Sequence, residues 1–413
     1  MTSIGFLIPE FPGQTHAFFM RERAELANLG VHTELISTQR PVEGEGMAQH
    51  SWASEAAKDT HYLFPIGVKS IAKAFFYILM SGPAAWWRSV KSILSSSELT
   101  FKERLQLPGL LLIGSNLKQW AQRTGVEHIH VHSCANSAHV AMFARLLGGP
   151  SYSITLHGPM QDYGGNQAEK WRHASFAIII TKELVGEVKN KLPACSLPPI
   201  HLAPMGVNTD SFRRSSTYLP PQRDQQVHLV SCGRLNFVKA HDDLVRVVAL
   251  LRDKGVKAHL RICGAADSQS ATDGTGYVDS LESLIAELGV ECSVDLLGSI
   301  SEERVKEELE NAHFFCLASL KEPLGVATME AMAMEMPVIV TRSPGVLDLI
   351  ESGKNGVLVE PRSPTEFAET IENLLEAPDA IESLGKQGRL TVLQRFSSKV
   401  SAKAIFDGVR QTS

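Results

Sequence analysis

The chain has no C-x2-C pair, and its six cysteines (Cys134, Cys195, Cys232, Cys263, Cys292 and Cys316) are scattered singly along 413 residues. That excludes zinc ribbons and dithiol redox motifs, and the cysteines read as reduced, mostly buried thiols. Nor is there an unbroken apolar run of the ~20 residues that a membrane-spanning helix needs. The most apolar windows, around Ala74 to Trp87 and Leu105 to Ile113, are interrupted by Gly82, Pro83 and Pro108. The opening residues, MTSIGFLIP, carry no basic leader and their apolar stretch stops at Pro9, so no export is expected and the location reads as cytoplasmic. Basic charge is not in excess: Lys and Arg total 40 against 45 Asp and Glu, a net charge of -5, which argues against a general nucleic-acid binder. Neither half contains a G-x-G-x-x-G turn, which disfavours a dehydrogenase. No D-x-D or comparable carboxylate pair is present, so no metal and no cofactor are expected.

What is present is an alternation of short β-rich runs with helical patterns, the signature of α/β units with parallel strands. Strands are expected at 4–8, 31–37, 128–132, 152–156, 176–180 and 200–203. After a polar stretch containing Pro220 and Pro221 they resume at 227–232, 257–263, 293–296, 313–317 and 337–341. Helices are expected at 17–29, 137–147, 243–252, 277–288, 302–311 and 326–335, with further helices from there to the end. The result is two consecutive Rossmann-like halves without detectable internal repeat: residues 1–205, a linker at 206–226, residues 227–395, and a C-terminal helix at 396–413 packing back on the first half. Ligands of such sheets sit beyond the carboxyl ends of the strands, and two sheets facing each other make a cleft.

The strand ending at Cys232 runs into GRLNFVKAHDDLV, where Gly233 permits a tight turn and Arg234 and Lys239 precede a helix whose positive end points back at them. This suits a diphosphate, although a loop Arg and Lys on a surface would look the same. In EPLGVATMEAMAMEMPVIV (Glu322 to Val340), Glu330 is hemmed in by Ala and Met residues. A carboxylate buried there costs several kcal/mol unless it is satisfied, either by a partner in the protein or by a ligand. In the second case Glu322 and Glu330 both face the cleft, where carboxylates accept hydrogen bonds from vicinal hydroxyls. The amides from Leu324 through Gly325 and Val326 at the helix start then meet phosphate oxygens.

Taken together, Arg234, Lys239 and the E-x7-E pair resemble the retaining glycosyltransferases of family four, which have the two-domain GT-B fold. SPGVLDLIESGKNGVLVEP (Ser343 to Pro361) and PMGVNTDSF (Pro204 to Phe212) extend the resemblance. It implies that Arg234 and Lys239 bind the donor diphosphate, that Glu322 contacts the donor sugar and that Glu330 holds the ribose. The donor is then a UDP- or GDP-sugar, and transfer proceeds on one face through an oxocarbenium-like ion pair. The chain departs from the pattern at Ala240, where glycine commonly follows the lysine, at Ser343-Pro344 in place of a glycine pair, and at Asp348 in place of Glu.

IPEFPGQTHAFFMRE (Ile8 to Glu22), HIHVHSCANSAHVA (His128 to Ala141) and TLHGPMQDY (Thr155 to Tyr163) resemble the exopolysaccharide and colanic-acid branch. The resemblance implies a glycan or lipid-linked acceptor. The Gly13-Gln14 turn is expected at the donor phosphate. His157 is either a catalytic-site residue or a structural strand-end histidine, and His132 and Asp162 are weaker acceptor candidates. His128, His130 and His132 alternate on one strand face, but without accompanying acidic or thiol ligands they read as packing and acceptor-side residues rather than a metal site.

Residues 64–125 carry eight basic and two acidic side chains, together with Phe75, Phe76, Tyr77, Trp86 and Trp87. Such a mixture suits either an anionic membrane surface or a solvated helical face over core aromatics. Two rivals to a transferase share these features: a sugar-nucleotide epimerase of the same architecture and a non-catalytic nucleotide-binding protein.

Overall fold

A computed structural model describes residues 3–13, 16–41, 52–266 and 274–412. The chain divides into two compact units, Met1–Pro204 with Lys399–Ser413, and Met205–Ser398. The first contains β1 (Ser3–Glu10), α1 (Ala17–Asn28), β2 (His32–Gln39), α2 (Ala53–Asp59), β3 (His61–Tyr62), α3 (Val68–Met80), α4 (Pro83–Leu94) and α5 (Phe101–Thr124). It continues with β4 (His128–Val131), α6 (Asn136–Leu146), β5 (Ser151–Leu156), α7 (Gln167–Arg172), β6 (Ala177–Ile179), α8 (Lys182–Lys191) and β7 (Ile200–Leu202). The second unit runs through β8 (Val227–Cys232), α9 (His241–Asp253), β9 (Ala258–Cys263), α10 (Gly274–Leu288), β10 (Val294–Gly298), α11 (Glu302–Asn311) and β11 (Phe314–Leu317). It ends with α12 (Val326–Ala333), β12 (Val338–Thr341), β13 (Val357–Val359), α13 (Pro364–Leu375) and α14 (Pro378–Arg395), after which α15 (Ser398–Thr412) rejoins the first unit.

Both sheets are wholly parallel, in the orders β3-β2-β1-β4-β5-β6-β7 and β10-β9-β8-β11-β12-β13. In each, the chain winds outward from an inner strand, then returns to its other side and winds the opposite way. The reversal falls between β1 and β4 in one sheet and between β8 and β11 in the other. Parallel strands covered on both faces must be apolar throughout, and β4, β11 and β12 are buried along their whole length and β1 from Ile4 to Ile8. In the first unit Phe6, Ile8, Phe176 and Ile178 of the sheet region form one core with Phe19 and Leu26 of α1 and Ala402, Ile405 and Val409 of α15.

The structure corrects two expectations. Residues 206–226 are built into the second unit rather than spanning a gap: Tyr218 is buried and donates to the His313 carbonyl at 2.8 Å, and Arg214 donates to the Glu310 carbonyl. The helices expected after Thr341 are interrupted by β13, whose three residues are too few to show alternation. The helix α5 runs through Pro108, opened by a Thr100–Glu103 capping box and closed by left-handed Gly125. A proline there loses one intrahelical bond, and Pro108 and Gly109 lie on the exposed side.

The aromatic and aliphatic side chains of 64–125 are largely outside the core. Val68, Phe75, Phe76, Leu79, Trp87, Leu94 and Phe101 are exposed, Val68 to 83 % and Phe101 to 78 %. Seven of the eight basic residues share this exposure. Lys118 does not: it is buried and donates to Ser81 Oγ at 2.9 Å and the Leu147 carbonyl at 2.8 Å. No helix among the described residues is long and apolar enough to cross a membrane.

The close approach of α5 to α6 depends on Gly114, where a Cβ would lie 2.8 Å from Phe143 Cβ and 2.9 Å from the Val140 carbonyl oxygen. Gly114→Ala is therefore expected to lower unfolding free energy by about 1–3 kcal/mol, read by denaturant or thermal melts. A melt identical to wild type would show that the helices part without cost.

Candidate active site

In the second unit the sequence-derived residues gather at the reversal between β8 and β11. Gly233 follows β8 directly; its amide donates to the Cys263 carbonyl at 2.9 Å. Its φ is not in the left-handed region, so the turn itself does not demand glycine. The Lys239 stem lies 3.4 Å from where a Cβ would sit, and glycine keeps that space open. Asn236 Oδ1 accepts from the Lys239 amide at 3.1 Å and shapes the short 3-10 turn Phe237–Lys239. Ala240 then adopts φ 48°, a left-handed conformation that α9 needs at its start and that glycine would adopt at lower cost.

Across the reversal, the loop after β11 is pinned at several points. Thr341 Oγ1 at the end of β12 donates to the Ser319 carbonyl at 2.5 Å, and the Leu320 amide donates to the Val238 carbonyl at 2.8 Å. Glu322, 8 % exposed, accepts from Ser319 Oγ at 3.3 Å and forms an ion pair with Lys239 Nζ at 2.5 Å. An ammonium has three donors, so this contact leaves two for another acceptor. Arg234 is exposed on the same loop as Lys239. Leu324 is buried, Gly325 takes φ 86°, and Val326 opens α12. The free amides of that first turn form an end of positive potential. Two buried hydroxyls of this region, Thr328 Oγ1 in the first turn of α12 and Ser343 Oγ after β12, have no protein partner; the sequence reading assigned neither.

Glu330 differs from expectation in its burial. Met329, Ala331 and Met332 are buried, but the Glu330 carboxylate is half-exposed, so the cost of a sealed charge does not apply. It lies near the end of β8: the Cys232 thiol is pushed well up, first by its hydrogen bond with Cys263 and by burial, with the Glu330 charge contributing. His241, buried at the start of α9, is lowered to about 4 by burial and by Lys239, so it is neutral.

In the first unit Gly13 follows β1, and its amide donates to His16 Nδ1 at 2.9 Å rather than pointing free. Gln14 lies outside the described residues. The histidines of β4 form a hydrogen-bonded ladder with β5. His128 Nδ1 meets Ser151 Oγ and Nε2 meets Ser153 Oγ, both at 2.7 Å; His130 Nδ1 meets Ser153 Oγ at 2.7 Å and Nε2 meets Thr155 Oγ1 at 2.8 Å. Burial holds both histidines neutral, His128 at about 3 and His130 well below the usual range. Among the described residues no cluster of three or more His, Cys, Asp or Glu is arranged to hold a metal.

At the carboxyl ends of β4 and β5 stand His132 and His157, Nδ1 to Nε2 at 3.3 Å. His132 is packed against Phe6 and Phe19, so it meets a ligand only through its neighbours. His157 is half-buried and lowered to about 3 by burial, and its Nδ1 is buried without a partner. Asp162 is exposed in the 3-10 turn Met160–Tyr163. Behind His132 sits a group the sequence reading did not assign: Glu22 of α1, its Oε2 3.3 Å from His132 Nε2. Burial raises its carboxyl to about 7 against a hydrogen bond from Ser401 of α15. Its only sequence signal was a charge beside the apolar AFFM of α1.

Two wholly parallel Rossmann-like units in one chain constitute the GT-B fold, and solved glycosyltransferases share it. HepE of Anabaena, solved with UDP, superposes with a TM-score of 0.72 over 100% of both chains at 15% identity. Residues 220–391, which contain Gly233, Arg234, Lys239, Glu322 and Glu330, match the family model "Glycosyl transferases group 1". EpsD of Bacillus subtilis (strain 168), named as a glycosyltransferase, is 28% identical over 321 residues, 73% of this chain and 80% of EpsD. The capsular polysaccharide biosynthesis glycosyltransferase CapM of Staphylococcus aureus is 26% identical over 168 residues, 41% of this chain and 42% of CapM. The chain carries a group 1 glycosyltransferase domain and is a glycosyltransferase.

The raised Glu22 carboxyl makes a stability prediction. The folded state holds this proton more tightly than the unfolded chain, so the associated stability is complete below about pH 4.5 and is lost as pH rises through about 7. Between pH 5 and pH 8 wild type should lose about 2–3 kcal/mol relative to Glu22→Gln, measured by denaturant unfolding of both at each pH. A difference between the two proteins that does not change with pH would contradict the assignment.

Proposed function

We propose that the enzyme moves a hexosyl unit from a nucleotide diphosphate sugar, UDP- or GDP-linked, to a hydroxyl of a glycan or lipid-linked sugar, with retention of configuration. The observation that carries this reading is the Lys239–Glu322 pair at the β8/β11 reversal, beside the start of α12. There a cation, a carboxylate and unpaired helix amides lie where open parallel sheets bind nucleotides. Lys239, Arg234 and the amides of Gly325 and Val326 receive the diphosphate and stabilise the charge that grows as it leaves. Glu322 orients the donor sugar while keeping Lys239 in place, Glu330 holds the ribose, and His157 positions the reacting hydroxyl. Charge on the leaving group is met by these residues, so the reading requires no metal. The relatives named above are glycosyltransferases, which does not favour the epimerase alternative. CapM, named for capsular polysaccharide biosynthesis, supports a place in polysaccharide assembly, and the UDP held by HepE supports a UDP-sugar.

The acceptor's source follows from 64–125. Exposed Phe75, Phe76, Leu79, Trp87 and Phe101 beside seven exposed cations suit a surface of anionic headgroups, at ~1 kcal/mol for each basic residue close to it. Docking through α3, α4 and the start of α5 brings the enzyme to a lipid-linked acceptor at the cytoplasmic face of a membrane.

Two measurements test this. Arg234→Ala and Lys239→Ala should each weaken nucleoside diphosphate binding by about 1.5–3 kcal/mol in calorimetry; a double variant with wild-type affinity would refute the donor site. The protein should co-sediment with vesicles containing anionic lipid at low salt and release at high salt, and absence of binding at low salt would leave a freely diffusing acceptor.

A further inference from the structure

Glu22, His132 and His157 lie in series on three elements of the first unit: Glu22 on α1, His132 just past β4 and His157 just past β5. His132 Nδ1 and His157 Nε2 are hydrogen-bonded at 3.3 Å, and Glu22 Oε2 faces His132 Nε2 across 3.3 Å as a close approach of two buried atoms that have no hydrogen-bond partner of their own. Each imidazole offers one nitrogen to each neighbour, and the series ends on His157 Nδ1, a buried nitrogen with no protein partner. Buried polar atoms are ordinarily satisfied, so an orphan at the end of such a series is where a substrate's polar atom belongs.

We infer that Glu22 and His132 are positioning residues that set, through a proton relay, whether His157 Nδ1 accepts or donates a hydrogen bond to the substrate hydroxyl. The inference rests on the proposed role of His157 and names the groups that govern it. With Glu22 ionised, the charge 3.3 Å away favours the proton of His132 on Nε2, His157 carries its proton on Nε2 and donates it to His132 Nδ1, and His157 Nδ1 is an acceptor. When the substrate hydroxyl surrenders its proton to Nδ1, the Nε2 proton of His157 passes to His132 Nδ1. The Nε2 proton of His132 then passes to Glu22. The hydroxyl oxygen bonds to the sugar carbon as the diphosphate leaves, both imidazoles are neutral before and after, and the proton ends as a carboxylic acid.

The environment suits this. His157 and His132 are both held neutral by burial, so neither is a useful base alone, whereas the carboxyl at the far end is raised to about 7 by burial. The relay thus lends a carboxylate's basicity to a buried imidazole. The titratable groups packed around the series are His16 on the turn before α1 and His130 on β4, both lowered by burial, and Ser401 of α15 bonds Glu22. Of the charged residues nearest along α1 and α15, Arg23 is bonded to Thr33 and Lys403 to Asp407, and Arg21, Glu25 and Lys399 have partners of their own.

The test is histidine 15N NMR on the full-length protein, which separates the tautomers, paired with the pH profile of transfer. In wild type His157 should carry its proton on Nε2 at pH 8.5 and on Nδ1 at pH 5.5. Glu22→Gln, whose amide donates or accepts but neither takes up nor releases a proton in this range, should hold one tautomer across it, and Glu22→Asp should restore the change. The transfer rate of wild type should fall at least five-fold on the acid side of about pH 7, and that limb should be absent in Glu22→Gln. A His157 tautomer that changes with pH identically in wild type and Glu22→Gln would overturn the relay. If instead the tautomer follows Glu22 but His157→Ala transfers at the wild-type rate, the relay stands and the role given to His157 in catalysis fails.

Discussion

A parallel sheet that winds outward from an inner strand, then reverses, leaves one pair of adjacent strand ends whose following loops lead away in opposite directions. Nothing in the sheet itself fills the space between those loops, and the side chains placed there are the ones a ligand meets. Both units of this chain obey that constraint. In the second, the loop after β8 supplies Lys239 and the loop after β11 supplies Glu322, and their ion pair joins the two sides of the reversal. Thr341, Leu320 and Asn236 hold those loops by backbone contacts, so the pair is set by the sheet rather than by its own attraction alone. A half-buried pair of this kind adds modest stability, and its worth lies in fixing two opposite charges at known places.

The first unit uses its sheet differently. Its β4 and β5 strands carry histidines and hydroxyls where parallel strands normally carry aliphatic residues, and the polar atoms satisfy one another along the ladder from Ser151 to Thr155. That arrangement makes a polar row tolerable inside a core bounded by Phe6 and Phe176. Near the strand ends the ladder stops, and the last two histidines turn to Glu22 and to an unmet nitrogen instead. Packing of α1 and α15 over this face buries Glu22 and raises its carboxyl, so the same contacts that complete the core tune a proton site.

Much of this was legible in the sequence because it is local. Eleven strands and six helices read from alternation and periodicity lie within a few residues of the observed elements, among them Val227–Cys232, reproduced without shift, and Glu302–Asn311. Short β3 and β13 carry too few residues to announce themselves, and α5 was hidden by a proline that an exposed helix face tolerates. The Arg234, Lys239 and Glu322 grouping was legible through its motif. The burial of Glu330 was overestimated because composition gives a helix's neighbours but not which face they cover. Glu22 was missed because its partners, at 132 and 401, are remote in sequence and a lone acidic residue on a helix is ordinarily solvated.

The central claim is that a nucleoside diphosphate binds the second unit at the β8/β11 reversal. The most direct measurement is a crystal structure with UDP or GDP bound. The account predicts phosphate oxygens on Lys239 Nζ and the amides at the start of α12, with the ribose hydroxyls on Glu330. A diphosphate bound away from the ends of β8 and β11, with Lys239 and Glu322 paired as before, would contradict it.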